Sequence, residues 1–509
     1  MVTIGSTLRS TAARVPDRDA LVFEGTRRTY RELDEEVDRV ARVLIERGVR
    51  PGDRLALLAP NSDRFVVTFY AAHRAGAIFV PVNPASAGPE VEYIVRDSGA
   101  SVLVFDPELV GSVTAAGQCG LPAELDLLSL GTCPGHEDLF ALAAEQPADP
   151  VEDSAVSSDD AQILYTSGTT GNPKGATFDH HRVMWEAVSM ISTCGMQDGD
   201  RFLHVAPLYH SAELCIMLIP GTLIGVTHVV HRSFDPALVL DTLEREQITM
   251  LFGVPTMYQF LADQPSLVVR DLSHWRTAMF GAAPMPAAAV ERLIAALPHV
   301  NLIQLCGQTE AGPNGIFSNR DQVRARPDAS GRQAIVGMEC RVVDDSGEDV
   351  GPGGVGELLL RGESLMKGYW NRPDATAETI VDGWLHTGDI CRVDPDGYMT
   401  VVDRLKDLII TGGRNVYSVE VEGAVAAHPS VADVAVVGRP HPEYGESIVA
   451  AVVLRDNATV TLDELRDTAG ERIARYKLPH ELVVVDRLPR NASGKLLKRE
   501  IRRTLTPLS

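Results

Sequence analysis

Positive charge is scarce in this sequence, and long apolar runs are missing from it. The 509 residues include 47 Lys and Arg against 69 Asp and Glu, a formal net charge of −22. A nucleic-acid binder needs a basic face for phosphates, so that class is disfavoured. The most apolar stretch, residues 214–227, is too short to span a bilayer and contains Pro220, Gly221 and Gly225. We expect it to be a buried core segment.

Cysteine is also sparse, and the N-terminus lacks the apolar core of a signal peptide. The seven cysteines are scattered, odd in number and without metal-type spacing. This usage predicts reduced thiols and a cytoplasmic location. What is present, 45% apolar and 23% charged residues, is typical of a globular protein, and the length allows two or more domains.

The first third of the chain alternates between helix and strand signals. Thr29 and Glu32 form a capping box before a run with helical spacing. Short apolar strands and further helical runs follow it. Strand–helix–strand units of this kind build a parallel sheet that is covered on both faces.

The pattern changes near residue 403, where short strands begin to alternate with two helical stretches. A second capping box, Thr461 with Glu464, opens one of these. The prediction is therefore an α/β protein in two parts. A large N-terminal multi-sheet α/β domain spans residues 1–403, and a small C-terminal α+β domain spans residues 404–509.

Residues 165–175, YTSGTTGNPKG, concentrate hydroxyl groups and glycines around one lysine. Hydroxyls and successive backbone N–H groups form anion nests, and glycines let the backbone approach a ligand closely. The spacing G-x-x-x-x-G-K-[ST] is not present, so P-loop phosphoryl transfer is disfavoured. The predicted phosphate-binding residues are Thr166, Ser167, Gly168, Thr169, Thr170, Gly171 and Lys174.

This loop resembles the signature loop of the adenylate-forming superfamily, which includes acyl-CoA synthetases, the adenylation domains of peptide synthetases and firefly luciferase. Seven more segments resemble further motifs of the family, in the expected order along nearly the whole chain. They are PLYHSAEL (207–214), GAAP (281–284), CGQTE (306–310), HTGD (386–389), DRLKD (403–407), GGRNVYSVEVE (412–422) and NASGKLLKRE (491–500). One such likeness is weak evidence, but eight in order are specific.

The resemblance implies an AMP-forming acid–thiol ligase that uses ATP, Mg²⁺ and CoA. A carboxylate acylates poorly because its oxygen leaves badly. Attack on the α-phosphate of ATP gives an acyl adenylate and pyrophosphate, and the acyl group then passes to the CoA thiol with release of AMP. The enzyme must hold two anions together and stabilise the charge that develops at the α-phosphate.

The resemblance also assigns roles in nucleotide and metal binding. Glu310 and Thr166 are the predicted Mg²⁺ ligands, and Thr309 is predicted to contact the α-phosphate. Asp389 is expected to accept the ribose hydroxyls, with Arg404 as a second nucleotide contact. Further predicted nucleotide-binding positions are Gly281, Ala282, Ala283, Cys306 and Gly307. Many relatives carry an adenine-stacking aromatic residue at the position of Cys306.

Three predictions concern the C-terminal domain, which is mobile in the family. Lys495 is the predicted catalytic lysine that bridges the carboxylate and the α-phosphate. Lys406 occupies the predicted hinge about which the domain rotates after adenylation. Gly412 and Gly413 are expected to line the tunnel for the pantetheine arm of CoA.

His210 is predicted to lie beside the reacting carboxylate. Amino-acid-activating relatives carry an Asp there, and none occurs in residues 207–214. The expected pocket segments, 303–307 and 312–316, are mostly small or apolar, which suits a fatty or an aryl acid. An acyl-AMP ligase that loads an acyl carrier protein is the alternative, and a homodimer is left open.

Overall fold

The structure is a computed structural model, and it describes residues 2–166, 172–283, 285–456, 458–490 and 496–505. The chain divides into two compact units. The N-terminal unit comprises residues 1–340 and 360–385, and the C-terminal unit comprises residues 341–359 and 386–509. The chain passes between the units more than once, and the functional boundary at residue 403 stays a prediction.

The first 340 residues alternate between strands and helices. The strands are β1 (Asp19–Phe23), β2 (Thr26–Thr29), β3 (Arg54–Leu58), β4 (Ile78–Val82), β5 (Val102–Phe105), β6 (Asp126–Ser129), β7 (Glu137–Asp138), β8 (Asp160–Thr166), β9 (Lys174–Asp179), β10 (Arg201–His204), β11 (Thr227–Val230), β12 (Met250–Gly253), β13 (Thr277–Gly281), β14 (Asn301–Gly307), β15 (Gly315–Ser318) and β16 (Gln333–Ala334). The helices are α1 (Ile4–Arg14), α2 (Tyr30–Glu46), α3 (Asp63–Arg74), α4 (Gly88–Ser98), α5 (Val110–Cys119), α6 (Leu139–Ala144), α7 (His180–Cys194), α8 (Ile219–Ile224), α9 (Pro236–Arg245), α10 (Pro255–Ala262), α11 (Ala287–Ala296) and α12 (Arg320–Ala325).

The remaining elements are shorter helices and mostly antiparallel strands. The strands are β17 (Met338–Val343), β18 (Val355–Gly362), β19 (Gly368–Tyr369), β20 (Ile380–Val381), β21 (Trp384–Val393), β22 (Met399–Arg404), β23 (Ile409–Thr411), β24 (Arg414–Val416), β25 (Val431–His441), β26 (Gly445–Leu454) and β27 (Glu481–Val484). The helices are α13 (Pro373–Thr379), α14 (Ser418–Val425), α15 (Leu462–Gly470) and α16 (Lys498–Leu505).

Two large sheets organise the N-terminal unit. One has nine strands in the order β16-β15-β14-β13-β12-β10-β11-β1-β2, and the other has eight in the order β19-β9-β8-β4-β3-β5-β6-β7. Their central strands pair in parallel, whereas edge pairs such as β14–β15 and β8–β9 are antiparallel. Buried apolar side chains fill both faces of the central strands, as expected for sheets covered by helices. The predicted fold class is confirmed.

Helix α2 shows how the sequence specifies one of these covering helices. Its N-cap, Thr29, accepts from the backbone N–H of Glu32, and the Glu32 carboxylate accepts from the N–H of Thr29. Beyond this capping box, Leu33, Val37 and Leu44 recur on one face and are buried. The predicted capping box is therefore present, and it starts the helix where the apolar period begins.

The apolar segment at residues 214–227 lies in the core, as predicted. It begins within a π-helix, Ala212–Leu218, continues through α8 and ends at β11. All seven residues of the π-helix are buried. A π-helix is rare and is often found at functional sites. Among the described residues, no helix is both long enough and apolar enough to cross a membrane.

The C-terminal unit has a sheet and a core of its own. Strands β24-β23-β26-β25 are joined in that order, and β27 pairs in parallel with β26. Helices α14 and α15 pack on one face through buried aliphatic residues, and Ile501 of α16 is buried with the other face. The capping box predicted at Thr461 starts α15.

Candidate active site

The carboxylate of Glu310 lies in a short 3₁₀ turn, Thr309–Ala311, and is held by two hydroxyl groups. Thr166, the last residue of β8, donates from Oγ1 to Glu310 Oε1 over 3.2 Å. The hydroxyl of Tyr369, in β19, donates to the same oxygen over 2.9 Å. Burial and the Glu310 charge raise the pKa of Tyr369 far above its usual range, so its phenol remains a donor. One carboxylate is therefore fixed at the start of the predicted phosphate loop.

The ring of Tyr369 also contacts Lys174, at the other end of that loop. Lys174 Nζ lies 4.8 Å from the ring centroid, a cation–π distance. Lys174 begins β9 and is the register partner of Thr166 in β8. Tyr369 thus contacts the Glu310 carboxylate through its hydroxyl and the Lys174 ammonium group through its ring, where the loop begins and ends.

Polar contacts also support the two strands that carry this loop. The Tyr165 hydroxyl donates to Asp97 over 2.8 Å, and Arg372 forms an ion pair of 2.6 Å with the same carboxylate. The Tyr93 hydroxyl donates to the Pro173 carbonyl over 3.0 Å. These contacts fix the ends of the loop. The predicted phosphate-binding residues Ser167, Gly168, Thr169, Thr170 and Gly171 lie outside the described residues.

His210 lies immediately before the π-helix. Its Nδ1 accepts from the backbone N–H of Ala212 over 3.2 Å, which assigns the proton of the neutral ring to Nε2. The next residue, Ser211, shares a 2.8 Å hydrogen bond with the hydroxyl of Thr309. The segment with the predicted acid-binding histidine is therefore joined to the turn that carries Glu310.

Strands β13 and β14 end beside each other with almost no room for side chains. A Cβ on Gly281 would lie 2.3 Å from a carbonyl oxygen of β14, and one on Gly307 would lie 2.3 Å from carbonyls of the loop that follows. Ala282 has a φ of 66°, and Ala283 follows it. Cys306 is half-buried at the end of β14. The predicted nucleotide-binding positions therefore form a tight backbone surface at the carboxyl ends of parallel strands.

A buried hydrogen-bonded chain fixes the π-helix to the strands behind it. Glu213 Oε1 bonds to His204 Nδ1 over 2.7 Å, and His204 Nε2 bonds to His228 Nδ1 over 2.9 Å. His228 Nε2 bonds to Thr222 over 3.0 Å, and the Tyr70 hydroxyl donates to Thr222 over 2.7 Å. Burial raises the pKa of Glu213 and lowers that of His228 well below its usual range.

In the C-terminal unit, Asp389 and Arg404 face each other across strands β21 and β22. They are register partners, and Arg404 Nε lies 2.8 Å from Asp389 Oδ1. Lys406 follows in a 3₁₀ turn, Leu405–Asp407. Desolvation of its ammonium group, and then the charge of Arg404, lower the pKa of Lys406 to about 8, although the residue as a whole is exposed. The predicted ribose residue, Asp389, is thus paired in space with the predicted nucleotide contact, Arg404, and the predicted hinge residue, Lys406, follows Arg404 by two residues.

Asp403 leads into a buried cluster of charges in the same unit. It accepts from the backbone N–H and, over 2.9 Å, from the hydroxyl of Ser418. Lys498 Nζ donates to Ser418 Oγ over 2.5 Å and forms an ion pair of 2.7 Å with Glu422. The first residue of α16 is therefore tied to the segment that contains the predicted hinge.

Lys495 lies outside the described residues, but the chain on both sides of it is described. Arg490 and Leu496 form an antiparallel bridge, and the Leu497 N–H donates to the Pro489 carbonyl over 2.9 Å. The described residues on the two sides of the predicted catalytic lysine are thus joined to each other, and α16 begins at Lys498.

Gly412 and Gly413 form the two-residue turn between β23 and β24. Thr411 pairs with Arg414, and the glycines have φ values of 56° and 71°. Two positive φ values in a two-residue hairpin are those of a type I′ turn. This backbone conformation is sufficient to explain why both positions are glycine. Within the part of the chain that the structure describes, no atom lies within 4 Å of a Cβ built at either position.

Glu310 and Thr166 fit a magnesium ion that is held jointly with a nucleotide. Among the described residues, no group of three or more His, Cys, Asp or Glu could hold a metal by itself. Mg²⁺ is usually bound by one or two carboxylates together with substrate phosphates. A single oriented carboxylate beside the phosphate loop matches that donor set.

Known proteins resemble the chain along nearly its whole length. The family model for the AMP-binding enzyme matches residues 8–370, and that for the AMP-binding enzyme C-terminal domain matches residues 420–495. The chain is 41% identical to a feruloyl-CoA synthase of Amycolatopsis sp over 493 residues, 96% of each chain. It is 35% identical to the long-chain-fatty-acid–CoA ligase FadD13 of Mycobacterium tuberculosis, over 99% of this chain and 98% of that one.

A solved structure agrees with these relatives. The o-succinylbenzoate CoA synthetase MenE of Bacillus subtilis, in complex with its acyl-adenylate intermediate, superposes with a TM-score of 0.87 at 30% identity, over 97% of each chain. The chain belongs to the AMP-binding enzyme family. It is an AMP-forming acyl-CoA synthetase, which activates a carboxylic acid with ATP as an acyl adenylate and transfers the acyl group to CoA. The predicted family and reaction are confirmed, and the roles of individual residues stay predictions.

Within this AMP-binding enzyme, several site residues escaped the sequence reasoning. Tyr369 lies far from the phosphate loop in sequence, and only the pairing of β19 with β9 brings it to Glu310. Ser211 belongs to the motif at residues 207–214, but local sequence does not indicate its hydrogen bond to Thr309. The basic residues around Lys498 in the sequence indicate a surface lysine, but in the structure its side chain is only 10% exposed.

Proposed function

We propose that this acyl-CoA synthetase acts on an aryl acid of the hydroxycinnamic type. The observation that carries the proposal is the 41% identity to feruloyl-CoA synthase over 96% of both chains, against 35% to the long-chain-fatty-acid–CoA ligase. A fatty acid is the second candidate, because the expected pocket segments are mostly apolar and the FadD13 likeness is equally long.

In the proposed adenylation step, the loop that starts at Thr166 holds the triphosphate and Lys174 adds positive charge. Glu310 and Thr166 are the proposed protein ligands of Mg²⁺, which would neutralise charge on the phosphates. Thr309 is proposed to donate to the α-phosphate. The hydroxyls that orient the Glu310 carboxylate support this assignment, because an oriented ligand costs no reorganisation during the reaction.

His210 is proposed to orient the carboxylate of the acid from Nε2. The contact of Ser211 with Thr309 supports this role, since it links the histidine segment to the proposed α-phosphate contact. The backbone surface at Gly281, Gly307 and their neighbours is proposed to accept the adenine. Asp389 keeps its proposed role with the ribose hydroxyls, and Arg404, which faces it, is proposed to orient that carboxylate.

We further propose that the two half-reactions use the C-terminal domain in two ways. Lys495 acts in adenylation. Rotation of the domain about Lys406 then withdraws Lys495, and Gly412 and Gly413 line the tunnel for the pantetheine arm of CoA. CoA is the acceptor. A carrier protein as a further acceptor, a homodimer and a cytoplasmic location stay predictions. The absence of a disulfide at any of the seven cysteines supports the last of these.

A pyrophosphate-release screen tests the proposed substrate class. Purified enzyme with Mg²⁺ and ATP is offered hydroxycinnamic, benzoic and C6–C18 fatty acids, each with CoA, with a holo-carrier protein or with neither. We expect the highest kcat/KM for a hydroxycinnamic acid, and thioester formation with CoA. A higher kcat/KM for a fatty acid would contradict the aryl proposal, and transfer only to the carrier protein would contradict CoA as acceptor.

A further inference from the structure

Glu357 is a partly buried carboxylate on β18 that bonds to two groups of the HTGD motif on β21. Its Oε1 accepts from the backbone N–H of Gly388 over 2.9 Å. Its Oε2 bonds to His386 Nδ1 over the same distance, 2.9 Å. One side chain of the neighbouring strand therefore holds the motif on both sides of Thr387.

Gly388 explains why the motif needs a side chain as acceptor. Its φ of 68° lies in the left-handed region, and a glycine in this conformation within a strand marks a bulge, where the ladder of backbone hydrogen bonds is interrupted. A backbone N–H at such a point needs another acceptor. The Glu357 carboxylate supplies it, and a hydrogen bond to a carboxylate is stronger than one to a neutral oxygen. The backbone directly before Asp389 is thus held from β18.

Thr387 ties the same stretch to the residue after Glu357. Its Oγ1 donates to the Leu358 carbonyl over 2.6 Å and accepts from the backbone N–H of Asp389 over 3.0 Å. Asp389 is buried, and its carboxylate is paired with Arg404. Two consecutive residues of β18 therefore fix the backbone that leads into the predicted ribose residue.

We propose that Glu357 is a positioning residue for the nucleotide. By holding Gly388, it sets the direction in which Asp389 presents its carboxylate to the ribose hydroxyls. This inference rests on the proposed role of Asp389 in ATP binding. It assigns to Glu357 a contribution to nucleotide affinity that depends on the ribose hydroxyls, although Glu357 itself does not contact the nucleotide in the proposed scheme.

A merely structural role for Glu357 predicts a different pattern of effects. If this residue only stabilised the sheet, its loss would weaken the binding of every nucleotide alike. If it acts through Asp389, its loss weakens only the nucleotides that carry ribose hydroxyls, because only these bond to the Asp389 carboxylate. Hydrogen bonds depend steeply on angle and distance, so a small displacement of that carboxylate is sufficient.

Isothermal titration calorimetry with ATP and with 2′,3′-dideoxy-ATP separates the two patterns, in the presence of Mg²⁺ and the absence of acid. Wild-type enzyme should bind ATP at least ~10-fold more tightly than the dideoxy analogue, and Asp389→Ala should bring this ratio close to one. Glu357→Leu should lower the affinity for ATP by at least ~5-fold and change that for the analogue by less than about twofold.

Three further variants make the result specific to the contact. Glu357→Gln keeps an acceptor for Gly388 and can donate to a neutral His386 ring, so it should retain most of the ratio. Glu357→Asp keeps the charge in a shorter side chain and should lose part of the ratio, a comparison that holds even if Glu357→Leu does not fold. Asp349→Ala, which breaks an exposed ion pair with Arg341 in the same unit, should leave the ratio unchanged.

The outcomes separate this inference from the proposed role of Asp389. An equal loss of affinity for both nucleotides in Glu357→Leu would overturn the positioning role, as would a wild-type ratio in both Glu357→Leu and Glu357→Asp. If Asp389→Ala loses the ratio and the Glu357 variants keep it, the role of Asp389 stands and only this inference fails. Equal affinities of the wild-type enzyme for the two nucleotides would overturn both.

Discussion

Tyr369 makes two separable contacts, one through its hydroxyl and one through its ring. Tyr369→Phe removes the 2.9 Å hydrogen bond to Glu310 and keeps the ring on which Lys174 lies. We expect kcat/KM for adenylation to fall by about 10-fold, equivalent to about 1.4 kcal/mol, because the carboxylate loses one of two orienting donors. Pyrophosphate release against Mg²⁺ concentration measures the effect, and half-saturation should shift to higher Mg²⁺.

Two comparisons make this result specific to the contact. Tyr476→Phe removes the same atom from a partly exposed ring in the C-terminal unit and should change neither quantity. Isothermal titration calorimetry, in which nucleotide and Mg²⁺ are titrated into the enzyme, measures binding without turnover. If the Mg²⁺ dependence of Tyr369→Phe equals that of the wild type, the proposed role of Tyr369 in orienting Glu310 is wrong.

His73 couples stability to pH. It is fully buried between Phe69 and His180, and neither ring nitrogen has a hydrogen-bond partner among the residues that the structure describes. Burial, and then the charge of His180, hold its pKa well below the usual value. The folded protein keeps His73 neutral, whereas the unfolded chain takes up a proton below about pH 6.5. Stability is therefore full above that pH and declines as the pH falls below it.

His73→Leu should reduce this pH dependence. Between pH 7.5 and pH 5.5 the wild type should lose about 1.4 kcal/mol more unfolding free energy than the variant does, by linkage from this one group. Urea unfolding of the N-terminal unit at the two pH values measures it. His274→Leu, at an exposed histidine, serves as the control. An equal pH dependence in wild type and His73→Leu would contradict the prediction.

At the scale of elements, α16 begins three residues after Lys495 in the sequence and is anchored within the C-terminal unit. Lys498 begins this helix and is held by Ser418 and Glu422, while Arg502, one turn later, forms an ion pair of 2.7 Å with Asp407. The helix is therefore attached to both ends of the DRLKD motif.

Lys498→Met should therefore weaken adenylation more than thioester formation. We expect at least a ~10-fold fall in pyrophosphate release, because Glu422 loses its partner and the base of the Lys495 segment loosens. Thioester formation from supplied acyl-AMP and CoA should change less than threefold. Lys498→Arg should restore most of the activity, and Arg503→Met, at an exposed position of the same helix, should have no effect. Equal losses in both half-reactions would assign Lys498 to general stability.

Local sequence signals were enough to predict many elements. The capping boxes at Thr29 and Thr461 and the buried strand at β3 follow from residue type and spacing, which act over a few residues. The π-helix was not predicted, because its extra residue per turn has no compositional mark. Gly412 and Gly413 are predicted only as residues that line the CoA tunnel. The type I′ hairpin turn that they form by itself requires positive φ values, which glycine adopts easily.

Site residues that lie in sequence motifs could be predicted. Contacts that depend on the pairing of segments distant in sequence could not. Thr166 and Glu310 were expected, and they are in hydrogen-bond contact. The burial of Glu186, on α7, could not be predicted, because the local pattern of a glutamate on a helix indicates a solvent-exposed residue. Burial is a property of tertiary packing, which local pattern does not encode.

At the scale of the whole molecule, the proposed chemistry uses residues from two units that each have their own core. The N-terminal unit supplies the hydroxyl-rich loop and Glu310, and the C-terminal unit supplies the residues on both sides of Lys495. A protein with a net charge of −22 has no general field that attracts ATP. A single positive side chain such as Lys495 is therefore expected to have a large effect on adenylation, the step in which negative charge develops at the α-phosphate.

Lys495→Ala tests this division between the half-reactions. Pyrophosphate release from ATP and acid should fall by at least ~100-fold, because one cation at the developing charge is removed. Thioester formation from supplied acyl-AMP should stay within threefold of wild type, since that step does not use the lysine in the proposed scheme. Lys477→Ala, which breaks an ion pair with Glu420 elsewhere in the same unit, is the matched control. A parallel loss of both half-reactions in Lys495→Ala would mean that one arrangement of the units serves both steps.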